Sequence, residues 1–316
     1  MSNFKPIIKR EGHKKKSHLK LCINYIKDKA RENNWDEQLA PALIDLISLY
    51  DSWGGVSSKF QKEFCLEEHF HALLWEMQLA QKLYKSEIEF QIGGSGKPDF
   101  FIPEQKIWLE AVCPKPNGIP KDYLDYPKST PAEKIREVTT IKVPSSEILL
   151  RWTSAIHSKI KQVEKYIRNG IIDKNHPFII AVNCSQLGNP RHSFIGQSGY
   201  PYPVEIGYGV GPLTAYFDKY NPDKDKIESP YRSRIQNLND KEVDTAIFFS
   251  DKYKKISAII GDNSGLNEIV CMERNEFVIT HNRYADNTLP TKLFKNSLEF
   301  TIAERSNDSF EIIKII

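Results

Sequence analysis

One stretch of this chain limits its fold more than any other, because two short apolar segments face each other across a tight turn. Residues 100–102 are apolar, residues 103–106 have turn composition, and residues 107–112 alternate, which together predict a β-hairpin. The period of two puts Trp108, Glu110 and Val112 on one face of the second strand and Ile107, Leu109 and Ala111 on the other. The hairpin therefore carries one carboxylate, Asp99, at its entrance and a second, Glu110, on its returning strand.

Each of these two carboxylates has an ordinary structural interpretation when it is taken alone. Asp99 follows Gly96-Lys97-Pro98, a common turn sequence, and Glu110 can simply pair with a lysine. Glu110, however, shares its face with a Trp and a Val, and burying an ionised carboxylate costs several kcal/mol unless it is paired or bound to a cation. Since the hairpin brings both acids toward one point, their combination predicts a shared metal ion.

A helix with an inward-facing acid is predicted before the hairpin, over residues 66–84. Its apolar residues gather on one side at helical spacing: Leu66, Phe70, Leu73, Leu74, Met77, Ala80 and Tyr84. Glu76 lies beside this stripe among apolar neighbours, which indicates that its carboxylate is turned toward the interior. Glu63, Glu67 and Glu68 are interpreted as solvated charges.

A second amphipathic helix is predicted after the hairpin, over residues 148–168. Its apolar stripe consists of Trp152, Ile156, Ile160, Val163 and Ile167. Lys159 lies at the edge of this stripe, whereas Lys161 and Lys165 project away from it. An ammonium at that edge can reach into the interior, although a lysine at the rim of a buried face can equally extend its charge to solvent.

This order of elements resembles the core motif of the PD-(D/E)XK nuclease superfamily, which includes many restriction endonucleases and DNA-repair nucleases. In that pattern Pro98-Asp99 supplies the first acid and Glu110 the second, and the preceding helix often carries a further acid, here Glu76. The family usually has a lysine two residues after the second acid, where this chain has Val112. In some members that lysine has moved to the neighbouring helix, so the resemblance implies that Lys159 replaces it.

The resemblance implies a catalytic set of Asp99, Glu110, Lys159 and Glu76 and a bound Mg²⁺, for which Mn²⁺ can substitute. Metal ligands would come from the three carboxylates and from a backbone carbonyl near Ala111, because Mg²⁺ prefers hard oxygen ligands. The metal would lower the pKa of a bound water and stabilise charge on the phosphate. The candidate phosphate or water contacts are Arg151, Gln162 and Lys115, and Lys115 is also the second choice for the missing lysine.

The resemblance further implies an α/β protein with a restriction-endonuclease-like central mixed β-sheet flanked by helices, preceded by an N-terminal helical extension. We expect a metal-dependent endonuclease that hydrolyses phosphodiester bonds in DNA, with restriction or defence as its role by analogy and a homodimer as a candidate assembly. The alternative, motivated by Val112, is a catalytically inactive nuclease-like module that binds DNA or another protein. A secreted bacterial effector also fits the composition, with no positive feature in its favour.

The chain divides into three expected segments. Residues 1–16 are expected to be a basic flexible arm, since the first twenty residues hold seven Lys or Arg and a single acid while the net charge is only +3. Residues 17–56 form the helical extension, in two helices separated near Asn33-Asn34. Residues 57–316 form the nuclease-like domain, with its core at 60–187 and a strand-rich continuation at 188–316.

Further strands are expected within this domain. Phe178 to Asn183 is predicted to close the core, and Thr245–Ser250 and Ile256–Ile260 are predicted to form a hairpin. Glu276–Thr280 is expected to be another strand. The Pro-rich segment 114–146 is expected to border the substrate cleft.

Composition favours a cytoplasmic protein. No apolar run approaches the length of a membrane span, so no membrane partner is expected. The five cysteines are widely spaced without a CxxC pair, which indicates neither a zinc site nor a disulfide framework and fits a reducing compartment.

Overall fold

The protein is described here by a computed structural model, in which residues 19–125, 142–237, 239–270, 277–306 and 309–315 are described. The basic arm 1–16, most of the Pro-rich segment after residue 125, Cys271 and Glu276 lie outside the described residues. None of the helices in these ranges is long and apolar enough to cross a membrane.

Eight α-helices lie in the described part of the chain. They are α1 (Lys20–Glu32), α2 (Leu39–Ser52), α3 (Ser58–Phe64), α4 (Glu67–Lys85), α5 (Lys121–Leu124), α6 (Ser145–Arg168), α7 (Pro190–Phe194) and α8 (Tyr202–Tyr208). The helix α4 has two acids in its first turn and two lysines in its last turn, which complements the helix dipole.

Twelve strands are described. They are β1 (Gln91–Ile92), β2 (Phe100–Ile102), β3 (Ile107–Val112), β4 (Phe178–Asn183), β5 (Thr214–Tyr216), β6 (Lys226–Glu228), β7 (Arg234–Gln236), β8 (Glu242–Asp244), β9 (Ala258–Asp262), β10 (Val278–His281), β11 (Leu298–Ser306) and β12 (Ser309–Ile315). Eight of them form one mixed sheet in the order β1-β2-β3-β4-β9-β10-β11-β12, while β5–β6 and β7–β8 form separate two-stranded ribbons. The protein is thus an α/β protein with a large mixed sheet flanked by helices.

Strand directions in this sheet bring polar residues to one edge. The strand β2 is antiparallel to both of its neighbours, β1 and β3. In contrast, β4 lies parallel to β3, and β9 lies parallel to β4. A parallel pair needs a crossover, and α6 supplies it between β3 and β4. The carboxyl ends of β3, β4 and β9 therefore meet at the same edge, where Asn183 pairs with Asp262.

Apolar side chains cover both faces of the sheet. One apolar layer, the first layer, joins α1, α2, α3 and α4 to one face, and β3 contributes Ile107, Leu109 and Ala111 to it. The second layer joins α6 and α8 to the other face, against which Trp108 and Val112 pack. The alternation predicted for β3 is therefore confirmed.

The predicted hairpin at Phe100–Ile102 and Ile107–Val112 and the strand Phe178–Asn183 are confirmed residue by residue. The two N-terminal helices and the two long helices are also confirmed, with α6 beginning at Ser145 rather than Ile148. The N-terminal helices share the first layer with α4 and the sheet. The described part of the strand Glu276–Thr280 appears as β10.

The hairpin predicted from Thr245–Ser250 and Ile256–Ile260 is wrong. Residues Ile247–Phe249 form a 3₁₀ turn, and the following strand, β9, pairs with β4 and β10. The apolar run had the composition of a strand, but periodicity cannot distinguish a short strand from a buried turn. Here Phe248 packs so closely on α8 that a Cβ at Gly207 would contact its ring.

Candidate active site

Backbone contacts hold Asp99 at the entrance of the hairpin. The N–H of Gly93 donates to the carbonyl of Asp99 at 2.7 Å, and the N–H of Ala111 donates to Asp99 Oδ2 at 2.7 Å. A Cβ added at Gly93 would collide with the carbonyl oxygen of Pro98, so only glycine allows this approach. The first acid is therefore fixed by the fold of the hairpin on both its backbone and its side chain.

Glu110 is the most enclosed acid of the site, with 2% of its surface exposed. Lys159 Nζ donates to Glu110 Oε1 at 2.7 Å, and the Tyr166 hydroxyl lies 3.5 Å from Glu110 Oε2. The amide of Gln162 in turn donates to the Tyr166 hydroxyl. These three residues lie on α6, so one helix in the second layer sets the position of the Glu110 carboxylate.

Glu76 reaches the site from the first layer, where it lies on α4. The Tyr50 hydroxyl donates to Glu76 Oε2 at 3.4 Å. Glu76 and Asp99 are only partly enclosed, and the Lys159 side chain retains 19% exposure. Solvent therefore reaches the group that Glu76, Asp99, Glu110 and Lys159 form, which we name the acid–lysine cluster.

The pKa values show that these four groups act on one another. Burial raises the pKa of Glu76 well above its ordinary value, and the charges of Asp99 and Glu110 add to this while Lys159 opposes it. Burial and the charge of Glu110 raise the pKa of Asp99 to about 7. Burial also raises the pKa of Glu110, against the opposing effect of Lys159.

Lys159 remains a cation in this environment. Burial by itself would lower the pKa of its ammonium, but the nearby carboxylates Glu110 and Asp99 outweigh burial and raise it. The acid–lysine cluster thus holds three carboxylates and one permanent positive charge. Its net charge is therefore −2 when every acid is ionised.

This imbalance fits a divalent cation. Within the described ranges no three His, Cys, Asp or Glu side chains are placed so that they could hold a metal ion together. Lys159 and the Ala111 N–H each engage one oxygen of Glu110 and of Asp99. Glu76 and Asp99 each have one oxygen engaged by Tyr50 or by the Ala111 N–H, and carboxylate oxygen is the ligand that Mg²⁺ prefers. A bound divalent ion would offset the cost of burying these carboxylates in their ionised form, which is the main cause of the three raised pKa values.

The other predicted site residues differ in whether they contact the acid–lysine cluster. Gln162 supports Glu110 through Tyr166, whereas Arg151 lines a separate cavity beside α6. Lys115 is exposed in the segment after β3. Ala111 contributes an observed N–H contact, while the expectation concerned its carbonyl.

Sequence reasoning missed both tyrosines of the site. Tyr166 follows Lys159 by seven residues, two helical turns, and that spacing on one face of α6 could have revealed it. Tyr50 carried no such signal, because only the packing of α2 on α4 brings it to Glu76. A further buried pair, Lys82 with Asp262, was also missed; it links α4 to the carboxyl end of β9.

Comparison of this chain with protein-family models, with curated proteins and with solved structures gives no match in any of the three. The geometry of the acid–lysine cluster is therefore the basis for assigning a function.

Proposed function

We propose that the protein is a metal-dependent nuclease of the PD-(D/E)XK type that hydrolyses phosphodiester bonds in DNA. The observation that carries this proposal is the convergence of three carboxylates and one lysine from α4, the start of β2, β3 and α6. The element order supports it as well: a helix with an acid, an acid-bearing hairpin, a crossover helix and a parallel strand follow one another as in the family's core motif.

In this proposal Asp99, Glu110 and Glu76 would hold Mg²⁺ or Mn²⁺. The metal would supply a water of lowered pKa and a positive charge beside the phosphate. A water oxygen would attack phosphorus while the bond from phosphorus to the leaving sugar oxygen breaks. The proton that the water loses passes to solvent, and the leaving oxygen takes up a proton from solvent. The Lys159 ammonium, kept protonated by its acidic neighbours, stabilises the negative charge that develops on the phosphate oxygens.

The chain's other groups hold these residues in place. Tyr166, supported by Gln162, orients the Glu110 carboxylate, and the Ala111 N–H orients Asp99. Rigid placement matters because small displacements of reacting groups cost large factors in rate.

The test is cleavage of supercoiled plasmid and of single-stranded DNA with Mg²⁺, Mn²⁺ or EDTA. We expect cutting that requires the metal and that Asp99→Ala and Glu110→Ala abolish with the fold retained by circular dichroism. Glu164→Ala, which removes an exposed acid from α6, is the matched control and should cut normally. Full cleavage by either active-site variant would overturn the site assignment.

One observation favours a second function, a nuclease-like module that binds DNA or protein without cutting. The Lys159–Glu110 pair is already satisfied without metal, at 2.7 Å, and the strand position of the family's lysine is Val112. In this case the wild-type protein would bind DNA equally with and without EDTA and yield no product. Metal-dependent product would exclude it.

A further inference from the structure

A cavity lies beside α6, on the side of that helix away from the sheet. It is an open pocket of about 290 Å³ bordered by the segment after β3, the helix α6 and the ribbon β7–β8. We name it the α6 cavity. Its polar lining side chains are Asn117, Glu147, Arg151, Ser154, His157, Asn237 and Asn239. A small concave space with convergent polar groups is typical of a ligand pocket.

His157 contributes its ring to the wall of this cavity. The Nε2 atom of His157 is buried and has no hydrogen-bond partner within the described residues. Its ring stacks on Tyr253 with centroids 5.4 Å apart. Burial and the neighbouring Lys252 lower the pKa of His157, so its ring is neutral. Because Nε2 is closed to solvent, a ligand in the cavity would contact the ring of His157 rather than this nitrogen.

The two charged residues of the cavity indicate which chemical groups a ligand must offer. Glu147 and Arg151 lie four residues apart on α6, so they share one face of the helix, and the described residues contain no ion pair for Arg151. A phosphate would suit the arginine but would be repelled by the glutamate. The cavity therefore fits a planar group that offers acceptors to Arg151 and donors to Glu147.

We propose that the α6 cavity binds an unpaired guanine base of the nucleic-acid substrate. Guanine presents O6 and N7, which accept from an arginine, and its N1–H and N2 amino group can donate together to one carboxylate. Adenine has a single amino group and offers no comparable pair of donors. The Oδ1 atom of Asn237 accepts from the backbone N–H groups of Asn239 and Lys241, which leaves its NH₂ group for the ligand.

The position of the cavity deepens the proposed nuclease function, on which this inference rests. Arg151 and Lys159 are eight residues apart on α6, about 12 Å along its axis. A base held in the cavity would thus lie a few nucleotides from the scissile phosphate. A base must leave its stack to lie between the helix and the ribbon, which favours single-stranded or locally opened substrates.

The first experiment measures binding of guanosine and of adenosine to the full chain by ligand-observed NMR in EDTA. We expect guanosine to bind more tightly than adenosine, and Arg151→Met and Glu147→Gln each to weaken it about tenfold or more, the value of one bidentate base contact. Lys161→Met, an exposed lysine on the same helix, is the control and should bind guanosine normally. Equal binding of both nucleosides, no binding, or binding insensitive to both variants would overturn the proposal.

The second experiment maps cleavage of single-stranded oligothymidine that carries one guanine or one adenine. We expect cuts at a fixed distance from the guanine only, and a loss of that preference in Glu147→Gln. Cleavage without any guanine preference would overturn the cavity assignment and leave the nuclease standing. Guanosine binding without any cleavage would instead overturn the nuclease, so the two failures are distinguishable.

Discussion

Replacing Asp99 by Asn should stabilise the metal-free protein. Burial, and then the charge of Glu110, raise the pKa of this carboxyl from 3.8 to about 7. Each pKa unit corresponds to about 1.4 kcal/mol, so ionising Asp99 inside the fold costs roughly 4 kcal/mol before any relaxation. Solvent reaches the partly enclosed carboxyl, and we therefore expect a gain of about 1–3 kcal/mol in the free energy of unfolding. Asparagine keeps an oxygen that can accept from the Ala111 N–H.

The gain should depend on pH in a defined direction. The pKa of Asp99 is higher in the folded state than in the unfolded state, so its cost is absent below the unfolded value, grows between 3.8 and about 7, and is complete above that. Urea unfolding in EDTA should thus show a larger advantage for Asp99→Asn at about pH 8 than at about pH 5.

A matched substitution, Asp262→Asn, should lower the free energy of unfolding instead of raising it. Asp262 is 4% exposed, pairs with Lys82 and accepts from the Ser264 N–H, so Asp262→Asn should lose stability at both pH values. An Asp99→Asn variant that gains nothing at the higher pH, or gains equally at both, would refute the electrostatic account of the acid–lysine cluster.

Three further predictions concern residues that support the fold and the site. Lys82→Met should lower the free energy of unfolding by about 3–5 kcal/mol, because Asp262 would stay buried without its cation; a wild-type urea midpoint would contradict this. Burial acts to raise the pKa of Glu299, but hydrogen bonds from His281, the Lys292 N–H and Ser297 outweigh it and lower the pKa below 4.5. Glu299→Gln should therefore be less stable than wild type at neutral pH, and the difference should vanish as the pH falls through the folded pKa of Glu299. A difference in thermal unfolding temperature that stays constant with pH would contradict this role of the His281–Glu299 pair. Gly93→Ala should both destabilise the hairpin and slow cleavage, since the new Cβ meets the Pro98 carbonyl and displaces Asp99; a wild-type rate would show that Asp99 does not depend on this contact.

The parts of the fold that were predictable carry local periodicity. The alternation of β3 and the helical stripes of α4 and α6 reflect burial on one face, which the order of apolar residues records directly. The same patterns predict that the side chains of Glu76, Glu110 and Lys159 face the interior. The position of Asp99 could be predicted from the turn composition of the residues that precede β2.

The parts that were not predictable depend on contacts between distant segments. Lys82 and Asp262 are 180 residues apart, and Tyr50 meets Glu76 only because α2 packs on α4. The wrong hairpin at Thr245–Ser250 has the same origin, since β9 found its partners in β4 and β10 rather than in its neighbour along the chain. The α6 cavity likewise required the ribbon β7–β8 to lie against a helix far upstream in sequence.

The measurement that tests the central claim most directly is the single-turnover rate of DNA cleavage at saturating Mg²⁺ for wild type, Lys159→Ala and Lys161→Ala. Both lysines lie on α6, but only Lys159 contacts Glu110, while Lys161 is exposed. We predict a loss of about 10²–10³-fold for Lys159→Ala, comparable to removing one group that stabilises transition-state charge, and an unchanged rate for Lys161→Ala. A Lys159→Ala variant that cuts at the wild-type rate, or a folded wild-type protein that cuts neither plasmid nor single-stranded DNA, would contradict the account.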